Sequence, residues 1–270
     1  MEEVTQAFEH IAKHSSKFYE LVPMGEQKDA VTKPIQNQYQ LQQIYERMDS
    51  LVNVELTSRM LLGALHRQYE MHPMQYIYNS MNVKISPLAD GDPECDLIRA
   101  YCLNTAASPA NPGPRITRIR IFKIERRGEA ERFEPVAAKL GNRKLLFHGS
   151  KMPNFLGLMA QGMRIAPPEA PPTGFMFGKG CYFADMLQKS MSYSVGGFKH
   201  SLLLLCDVAL GKEKKLYRAE YVEKLEAQFQ SVKGCGRYGP DFKQKKVTTP
   251  QGYSVPMGTA SEYPEPPQET

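Results

Sequence analysis

The sequence lacks tryptophan, has few cysteines and contains no long apolar run. Its five cysteines are an odd number and no two form a Cys-x-x-Cys pair, so neither a disulfide framework nor a zinc site is predicted. We interpret them as buried thiols of a reducing compartment. No run approaches the roughly 18 consecutive apolar residues of a membrane helix, and we expect no membrane partner. The histidines show no metal-ligand spacing, so we expect no metal.

The charge balance is mildly basic. The net charge is +5 over 270 residues, and the charged fraction of 23% is ordinary for a soluble globular protein. A nucleic-acid binder usually concentrates positive charge on one face. Here the basic residues form small groups at Arg115–Arg127, Lys212–Lys215 and Lys243–Lys246. This pattern favours solvated edges and loops, with weak attraction to a polyanion as the alternative.

Three nucleotide-binding or catalytic motifs are not supported by the spacing. Gly174–Gly180 reads GFMFGKG, which has three residues between glycines where a phosphate loop needs four, and Gly180 stands where that loop has Ser or Thr. No Gly-x-Gly-x-x-Gly occurs, so a Rossmann-type dinucleotide fold has no support. His148 and Ser150 lie outside any Gly-x-Ser-x-Gly elbow, so a serine hydrolase is not favoured.

The first quarter of the chain has the pattern of helices. Apolar residues recur at helical spacing from Glu2 to Tyr19 and, over a longer range, from Ile35 to His66. The second pattern allows a break near Asn53. Two or three such helices cannot bury both their faces alone, so we interpret them as part of a helical bundle.

After residue 72 the pattern changes to strands and helices in alternation. Asp92 is typical of an N-cap, with Pro93 at the first helical position. The four predicted strands and the hairpin follow from alternating or short apolar runs. The predicted elements are a strand over 82–86, a helix over 92–104, a loop over 108–114, a strand over 118–124, a helix over 129–140, strands over 143–148 and 201–210, a hairpin over 248–255 and a polar loop over 261–270.

Residues 144–193 concentrate the chemistry-bearing side chains. The strand that opens this stretch ends in His148-Gly149-Ser150, and Gly149 lets a ligand approach the main chain closely. Further on, Tyr182 and Tyr193 flank a lysine and a serine, an arrangement that favours a flat heteroaromatic ligand. From the pattern alone, a capping histidine and two core tyrosines remain the alternative.

The same stretch resembles the catalytic domain of the poly(ADP-ribose) polymerases, which are ADP-ribosyltransferases. LLFHGS resembles the family's nicotinamide-binding strand, and RIAPPEAPPTGFMFGKGCYFADMLQKSMSY resembles its donor-site loop, tyrosine strand and following helix. FYELVP, IFKIERRGEAERF, LLLLCDVALGK, SVKGCGRYGPD and VPMGTAS match in the same order. The resemblance is closest to the DNA-damage-responsive branch.

The resemblance implies an α+β fold, in which a partial α-helical bundle precedes a mixed, mostly antiparallel sheet. Residues 1–72 are expected to be the C-terminal part of the family's helical regulatory domain. Residues 73–270 are expected to be an ADP-ribosyltransferase catalytic domain without its C-terminal strands. The implied function is NAD-dependent transfer of ADP-ribose, singly or as a polymer, to protein acceptors including the chain itself. A nuclear location, a link to DNA damage and DNA contact through upstream regions are implied as well.

The family's site residues carry over by position. His148 is expected to bind the adenine-side ribose of NAD, the Gly149 backbone and Ser190 hydroxyl to hold the nicotinamide carboxamide, and Tyr193 to stack on the ring. The expected catalytic residues are His148, Tyr182 and Lys189. The expected NAD-binding residues are His148, Gly149, Ser150, Asn154, Gly157, Arg164, Tyr182, Ser190 and Tyr193.

One family feature is missing from the sequence. The transition state of this transfer resembles an oxocarbenium ion, which a nearby carboxylate stabilises. In the family that carboxylate is the Glu of an Asn-Glu-Tyr strand, which we expect after Thr270. Glu262, Glu265 and Glu269 match no such motif. We therefore expect poor activity from the chain as written, with a non-catalytic NAD-binding module as the alternative.

Overall fold

The computed structural model describes residues 2–21, 34–165, 175–194, 200–241 and 246–263. The chain divides into two compact units, residues 1–52 and residues 53–270, and the division falls inside a helix. The helices are α1 (Glu2–Leu21), α2 (Gln38–His66), α3 (Pro73–Met81), α4 (Pro93–Asn104), α5 (Glu129–Leu140), α6 (Phe155–Gln161) and α7 (Leu187–Met191). The strands are β1 (Val83–Pro87), β2 (Phe122–Arg126), β3 (Arg143–Gly149), β4 (Leu203–Ala209), β5 (Glu213–Leu216), β6 (Ser231–Gly234), β7 (Tyr238–Pro240), β8 (Lys246–Thr248), β9 (Ser254–Pro256) and β10 (Ala260–Glu262).

The first unit contains α1 and the start of α2. The Ser15 hydroxyl, buried on α1, donates to the Ile11 carbonyl at 2.7 Å and accepts from the Ile35 N–H at 2.9 Å. This serine therefore ties the segment before α2 to α1. Helix α2 continues through Asn53 without interruption over 29 residues, so the break that the pattern allowed there does not occur.

The second unit begins with a small apolar cluster. Met60 and Ala64 of α2 pack with Ile77 and Met81 of α3 and with Val83 of β1. Helix α3 was not predicted, although it begins with a proline after a histidine cap. The His72 Nδ1 accepts from the Met74 N–H at 3.2 Å, which satisfies one of the first donors of the helix.

Two predicted elements in the next segment have different outcomes. Asp92 caps α4 as predicted, because its side chain accepts from the Glu94 N–H at 2.8 Å. The strand predicted over 118–124 is displaced, because β2 covers Phe122–Arg126 and pairs antiparallel with β1. Residues 118–121 belong to no strand. The alternating pattern extends to residues that have no partner in β1, because the pairing ends at Phe122 and Pro87. The start of β2 is therefore set by pairing and not by the sequence pattern.

The main sheet has four strands in the order β4-β3-β9-β8. Strand β3 pairs antiparallel with β4 along its whole length, and it pairs parallel with β9 at Lys144 and Ser254. Strands β8 and β9 form the predicted hairpin, where Gly252 supplies a turn residue with φ of 86°. The core beneath contains Tyr101, Phe147 and Val255 among its fully buried side chains.

Two smaller pairs complete the strands. Strands β5 and β6 are parallel, and β7 pairs antiparallel with β10. The loop predicted from residue 261 is therefore wrong over Ser261–Glu262, which lie in β10, and residues 264–270 lie outside the described residues. Among the described strands, antiparallel pairs outnumber parallel ones four to two. The predicted α+β class with a mixed, mostly antiparallel sheet is confirmed.

The cysteines need one correction. Cys95 and Cys102 are buried and Cys206 and Cys235 are half-buried, but Cys181 is exposed. Burial raises the pKa of the Cys102 thiol to about 11 and that of Cys206 to about 12.

Among the described residues, none of the helices has the length and apolar character needed to span a bilayer.

Candidate active site

The candidate site lies at the end of β3. One edge of this strand pairs with β4. The other edge pairs near its end with Ala184, which lies two residues after Tyr182. Phe147 and Ala184 exchange both backbone hydrogen bonds, each at 2.8 Å. This bridge places Tyr182 and the residues after Ala184 beside His148-Gly149, so distant parts of the predicted stretch come together.

Gly149 is required by a close backbone approach. A Cβ atom at this position would lie 1.8 Å from the Ser190 carbonyl oxygen and 2.7 Å from its carbon. No side chain fits there, so the end of β3 and helix α7 touch main chain to main chain. Gly149 and Ser190, both predicted to hold the nicotinamide carboxamide, therefore lie in direct contact, and their roles stay predictions.

The Ser190 hydroxyl has a fixed direction. It donates to the Phe147 carbonyl at 3.1 Å, and the residue is only 3% exposed. A hydroxyl has one donor and two acceptor lone pairs, so Ser190 keeps acceptor capacity after this bond is made. Ser190 can therefore accept a hydrogen bond from a ligand N–H that reaches the end of β3.

His148 is oriented by the bridging segment. Its Nδ1 lies 2.8 Å from the Tyr182 carbonyl oxygen. A carbonyl accepts and cannot donate, so we assign the proton to Nδ1, which leaves Nε2 as the acceptor nitrogen of the neutral ring. The half-buried imidazole can then accept a hydrogen bond from a ligand hydroxyl.

Tyr182 holds the turn that precedes it. Its hydroxyl donates to the Gly178 carbonyl at 2.6 Å and accepts from the Phe177 N–H at 3.2 Å. Burial raises the pKa of Tyr182 above its ordinary value, the hydrogen bond from Phe177 opposes this, and the nearby Tyr221 and Tyr193 hydroxyls add to the rise. The phenol is therefore neutral at physiological pH, and its ring remains 40% exposed.

Tyr193 and Lys189 form a pair at the outer side of α7. Tyr193 is 56% exposed, and the Lys189 Nζ lies 5.4 Å from the centroid of its ring. At this distance the ammonium and the ring attract each other. An exposed aromatic ring held in this way offers a stacking surface beside Gly149 and Ser190.

The remaining predicted residues follow β3 on a short 3-10 turn and α6. The Asn154 Nδ2 donates to the Ser150 hydroxyl at 3.0 Å. The Asn154 Oδ1 is buried and has no hydrogen-bond partner among the described residues. Gly157 is buried within α6, whereas Arg164 is exposed beyond its end. No hydrogen bond or ion pair in the described part of the chain joins Arg164 to the others.

Two supporting residues were not predicted. The Thr105 hydroxyl accepts from the Leu187 N–H at 3.2 Å and its carbonyl accepts from the Gln188 N–H at 3.1 Å, so Thr105 caps the start of α7. Tyr101 stacks on Phe147 and donates to the Asp185 carbonyl at 3.1 Å. No sequence pattern connects these residues to α7, because both contacts are long-range.

Comparison with known proteins agrees with this geometry. Residues 93–266 match the family described as the poly(ADP-ribose) polymerase catalytic domain. The chain belongs to the poly(ADP-ribose) polymerase family. It is 38% identical over 248 residues to poly [ADP-ribose] polymerase 1 of Danio rerio, which covers 90% of this chain and 24% of the relative. Poly [ADP-ribose] polymerase 2-A of Oryza sativa subsp. japonica is 38% identical over 222 residues, 81% of this chain and 33% of the relative.

The chain therefore spans about a quarter to a third of the length of these curated relatives. The matched poly(ADP-ribose) polymerase range contains every predicted site residue, from His148 to Tyr193. It begins at Pro93, the first residue of α4. The predicted roles of the individual residues, and the domain boundary after residue 72, stay predictions.

Proposed function

We propose that the end of β3 and helix α7 bind NAD, and that the chain provides the donor site of an NAD-dependent protein ADP-ribosyltransferase. The observation that supports this most directly is the main-chain contact between Gly149 and Ser190, which leaves a backbone and a hydroxyl acceptor beside two exposed tyrosines. Membership of the poly(ADP-ribose) polymerase family supports the same assignment.

The nicotinamide carboxamide is the part of NAD that fits this corner. A carboxamide has two N–H donors and one carbonyl acceptor. Its N–H donates to the Ser190 hydroxyl, which already donates to Phe147, and its other groups meet the Gly149 backbone. The ring then stacks on Tyr193, whose exposed face is stabilised by Lys189.

The rest of the dinucleotide extends past His148. The His148 Nε2 accepts a hydrogen bond from a ribose hydroxyl on the adenine side, because the His148 Nδ1 is already bonded to the Tyr182 carbonyl. The unpartnered Asn154 Oδ1 accepts from a further hydroxyl or amino group. Arg164, an exposed cation three residues beyond the end of α6, is suited to the pyrophosphate.

In the reaction, an acceptor nucleophile bonds to the anomeric carbon of the nicotinamide ribose. The bond from that carbon to the nicotinamide nitrogen breaks, its electrons leave with neutral nicotinamide, and the acceptor loses a proton. The residues that bind NAD fix the direction in which nicotinamide leaves and the side from which the acceptor attacks. This orientation lowers the activation barrier. A carboxylate at the anomeric carbon would stabilise the oxocarbenium-like transition state. The sequence contains no Asn-Glu-Tyr tripeptide to supply it.

Binding tests the donor site. We expect a benzamide-type nicotinamide mimic to bind the 270-residue protein, as measured by isothermal titration calorimetry. Tyr193→Ala should weaken it about tenfold, because a stacked aromatic contact is worth roughly 1 kcal/mol beyond its buried area. Tyr69→Ala is the matched control, since this tyrosine is 93% exposed and lies between α2 and α3. Equal affinity in the wild type and Tyr193→Ala would refute the stacking role.

Transfer is tested separately with NAD labelled on its adenine side. We expect NAD to bind but the 270-residue protein to acquire label slowly, because its sequence contains no Asn-Glu-Tyr tripeptide. Rapid self-labelling would contradict this expectation. Binding without any labelling over long incubation would favour the alternative, a non-catalytic NAD-binding module.

The finer expectations are part of the same proposal. We propose that the acceptors are proteins, including the chain itself, that transfer can extend to a polymer, and that the protein acts in the nucleus in response to DNA damage. Residues 1–72 are proposed as part of a helical regulatory domain. The names of the relatives support polymer synthesis, and fractionation of cells expressing the tagged protein tests the location.

A further inference from the structure

A loop outside the predicted stretch forms part of the wall of this site. Residues 217–230 connect β5 to β6 without regular structure, and none of them was predicted to have a role. Val222 of this loop packs against the turn that Tyr182 holds. A Cβ atom on Gly178 would lie 2.1 Å from the Val222 carbonyl oxygen, so the two backbones are in direct contact.

The turn and the loop are fixed at several points. Gly178 has φ of 95°, a conformation that favours glycine, and the contact with Val222 leaves no space for a side chain. The Phe177 ring packs on Gly234 of β6, where a Cβ would lie 2.5 Å from it. On the other side of the loop, Lys214 pairs with Glu220 at 3.6 Å and with the Glu226 carboxylate at 3.0 Å.

These anchors stand on either side of Tyr221. Glu220 is paired with Lys214, and Val222 rests on Gly178, so the intervening tyrosine is held on an ordered backbone. Its side chain is nevertheless 40% exposed, the same fraction as Tyr182. Val222, the next residue along the loop, contacts Gly178, whose carbonyl accepts the hydrogen bond of the Tyr182 hydroxyl, so the backbone that carries Tyr221 is joined to Tyr182 through one residue. Tyr221 and Tyr193 also contribute to the raised pKa of Tyr182. Tyr182 therefore has an exposed tyrosine on the loop in its surroundings and another, Tyr193, just beyond the end of α7.

We propose that Tyr221 is a further ligand-facing, specificity-determining residue of the NAD site, forming its outer aromatic wall. The inference rests on the proposed function. The floor of the site is formed by buried groups, Gly149 and Ser190, which are suited to one carboxamide. Tyr221 lies on a different element and at the exposed rim, so it contacts the parts of a ligand that extend beyond the carboxamide-bearing ring. The ligand class is a flat aromatic carboxamide with a second ring, or NAD through its nicotinamide ribose.

Structural roles account poorly for this residue. A tyrosine that serves the core is mostly buried, whereas Tyr221 is 40% exposed. Exposed tyrosines on ordered loops supply contact area at low cost in conformational entropy. Tyr217, on the same loop and 47% exposed, has none of these links to Tyr182 among the described residues and provides the matched control.

The test compares two probes by isothermal titration calorimetry on the full chain: benzamide, and a benzamide extended by a second aromatic ring. Tyr221→Ala should weaken the extended probe about three- to tenfold, in the range of a single aromatic contact, and change benzamide less than twofold. Tyr221→Phe should retain both affinities, because the ring provides the contact. Tyr217→Ala should behave as the wild type. Thermal unfolding of each variant checks that the fold is retained.

The outcomes separate the two proposals. Suppose that the wild type binds both probes and that Tyr221→Ala binds the extended probe with unchanged affinity. This result would overturn the role of Tyr221 and leave the proposed donor site intact. If Tyr221→Ala loses affinity for both probes by the same factor, the residue lies at the carboxamide end of the site, and its assignment to the exposed rim is overturned. Absence of benzamide binding in the wild type would refute the proposed function itself, and the role of Tyr221 with it.

Discussion

Replacing Gly149 with alanine would force apart the two elements that build the donor site. The new methyl carbon would lie 1.8 Å from the Ser190 carbonyl oxygen and 3.1 Å from the Ser194 hydroxyl. Favourable carbon–oxygen contacts begin near 3.3 Å, so the end of β3 and helix α7 must separate by roughly 1.5 Å. The obstacle is backbone, which cannot swing aside as a side chain can.

The cost follows from this separation. Overpacking a tight interior contact costs about 1–3 kcal/mol. The same movement breaks the bond from the Ser190 hydroxyl to the Phe147 carbonyl, now 3.1 Å long, which adds about 1 kcal/mol. We therefore expect Gly149→Ala to lower the free energy of unfolding by about 3 kcal/mol. For a domain of this size, that corresponds to a fall in Tm of roughly 6–12 °C.

Chemical denaturation and benzamide titration measure the two consequences. Gly236→Ala is the matched control, because its added Cβ would lie 3.7 Å from the nearest atom, an ordinary van der Waals distance. This control should keep wild-type stability and affinity, whereas Gly149→Ala should lose both. If Gly149→Ala unfolds at the same denaturant concentration as the control and binds benzamide normally, the close approach described for β3 and α7 is wrong.

Three further predictions concern the support of the site. Asp92→Ala should lower the free energy of unfolding by about 1 kcal/mol through loss of the α4 cap, while Asp92→Asn keeps most of it; equal losses in urea titration would exclude capping. Tyr182→Phe should cost about 1 kcal/mol, because it removes the hydroxyl that joins Gly178 and Phe177, and an unchanged urea midpoint would argue against that link. The contribution of Cys102 to the free energy of unfolding should be fully present below pH 9 and be lost as the pH rises through about 11. Burial raises the pKa of this thiol from 9.0 to about 11 in the folded protein, so the unfolded chain loses the proton first. A Cys102→Ala variant should lose less stability over that interval in urea titrations at each pH.

Local chemistry made several elements predictable. Asp92 followed by Pro93 marks a helix start whatever the tertiary context, and helix α5 occupies Glu129–Leu140 as its pattern predicts. The strand before His148 was equally clear, because a short apolar run between polar residues fits a strand with sheet neighbours on both edges. These signals depend on residues close together in the chain.

The remaining features depend on distant contacts. The start of β2 at Phe122 is set by its partner β1, whose pairing ends at Pro87, so alternation alone placed the start of the strand four residues too early. Thr105 caps α7 from a position 82 residues away, and no local pattern carries such information. The individual site residues were found through family resemblance, because histidine and tyrosine at strand ends are common without a ligand. Their roles are the subject of the binding experiments above.

The return of the chain to β3 has a consequence for folding kinetics. The contact of His148 with Tyr182 spans 34 residues and that of Ser190 with Phe147 spans 43, whereas the bond from Ser254 to Arg143 spans 111. Closing a shorter loop loses less chain entropy and is generally faster. The end of β3 and helix α7 can therefore assemble before β9 joins the sheet. In a pulse-labelling hydrogen-exchange experiment, the Ala184 amide should gain protection earlier than the amides that join β9 to β3.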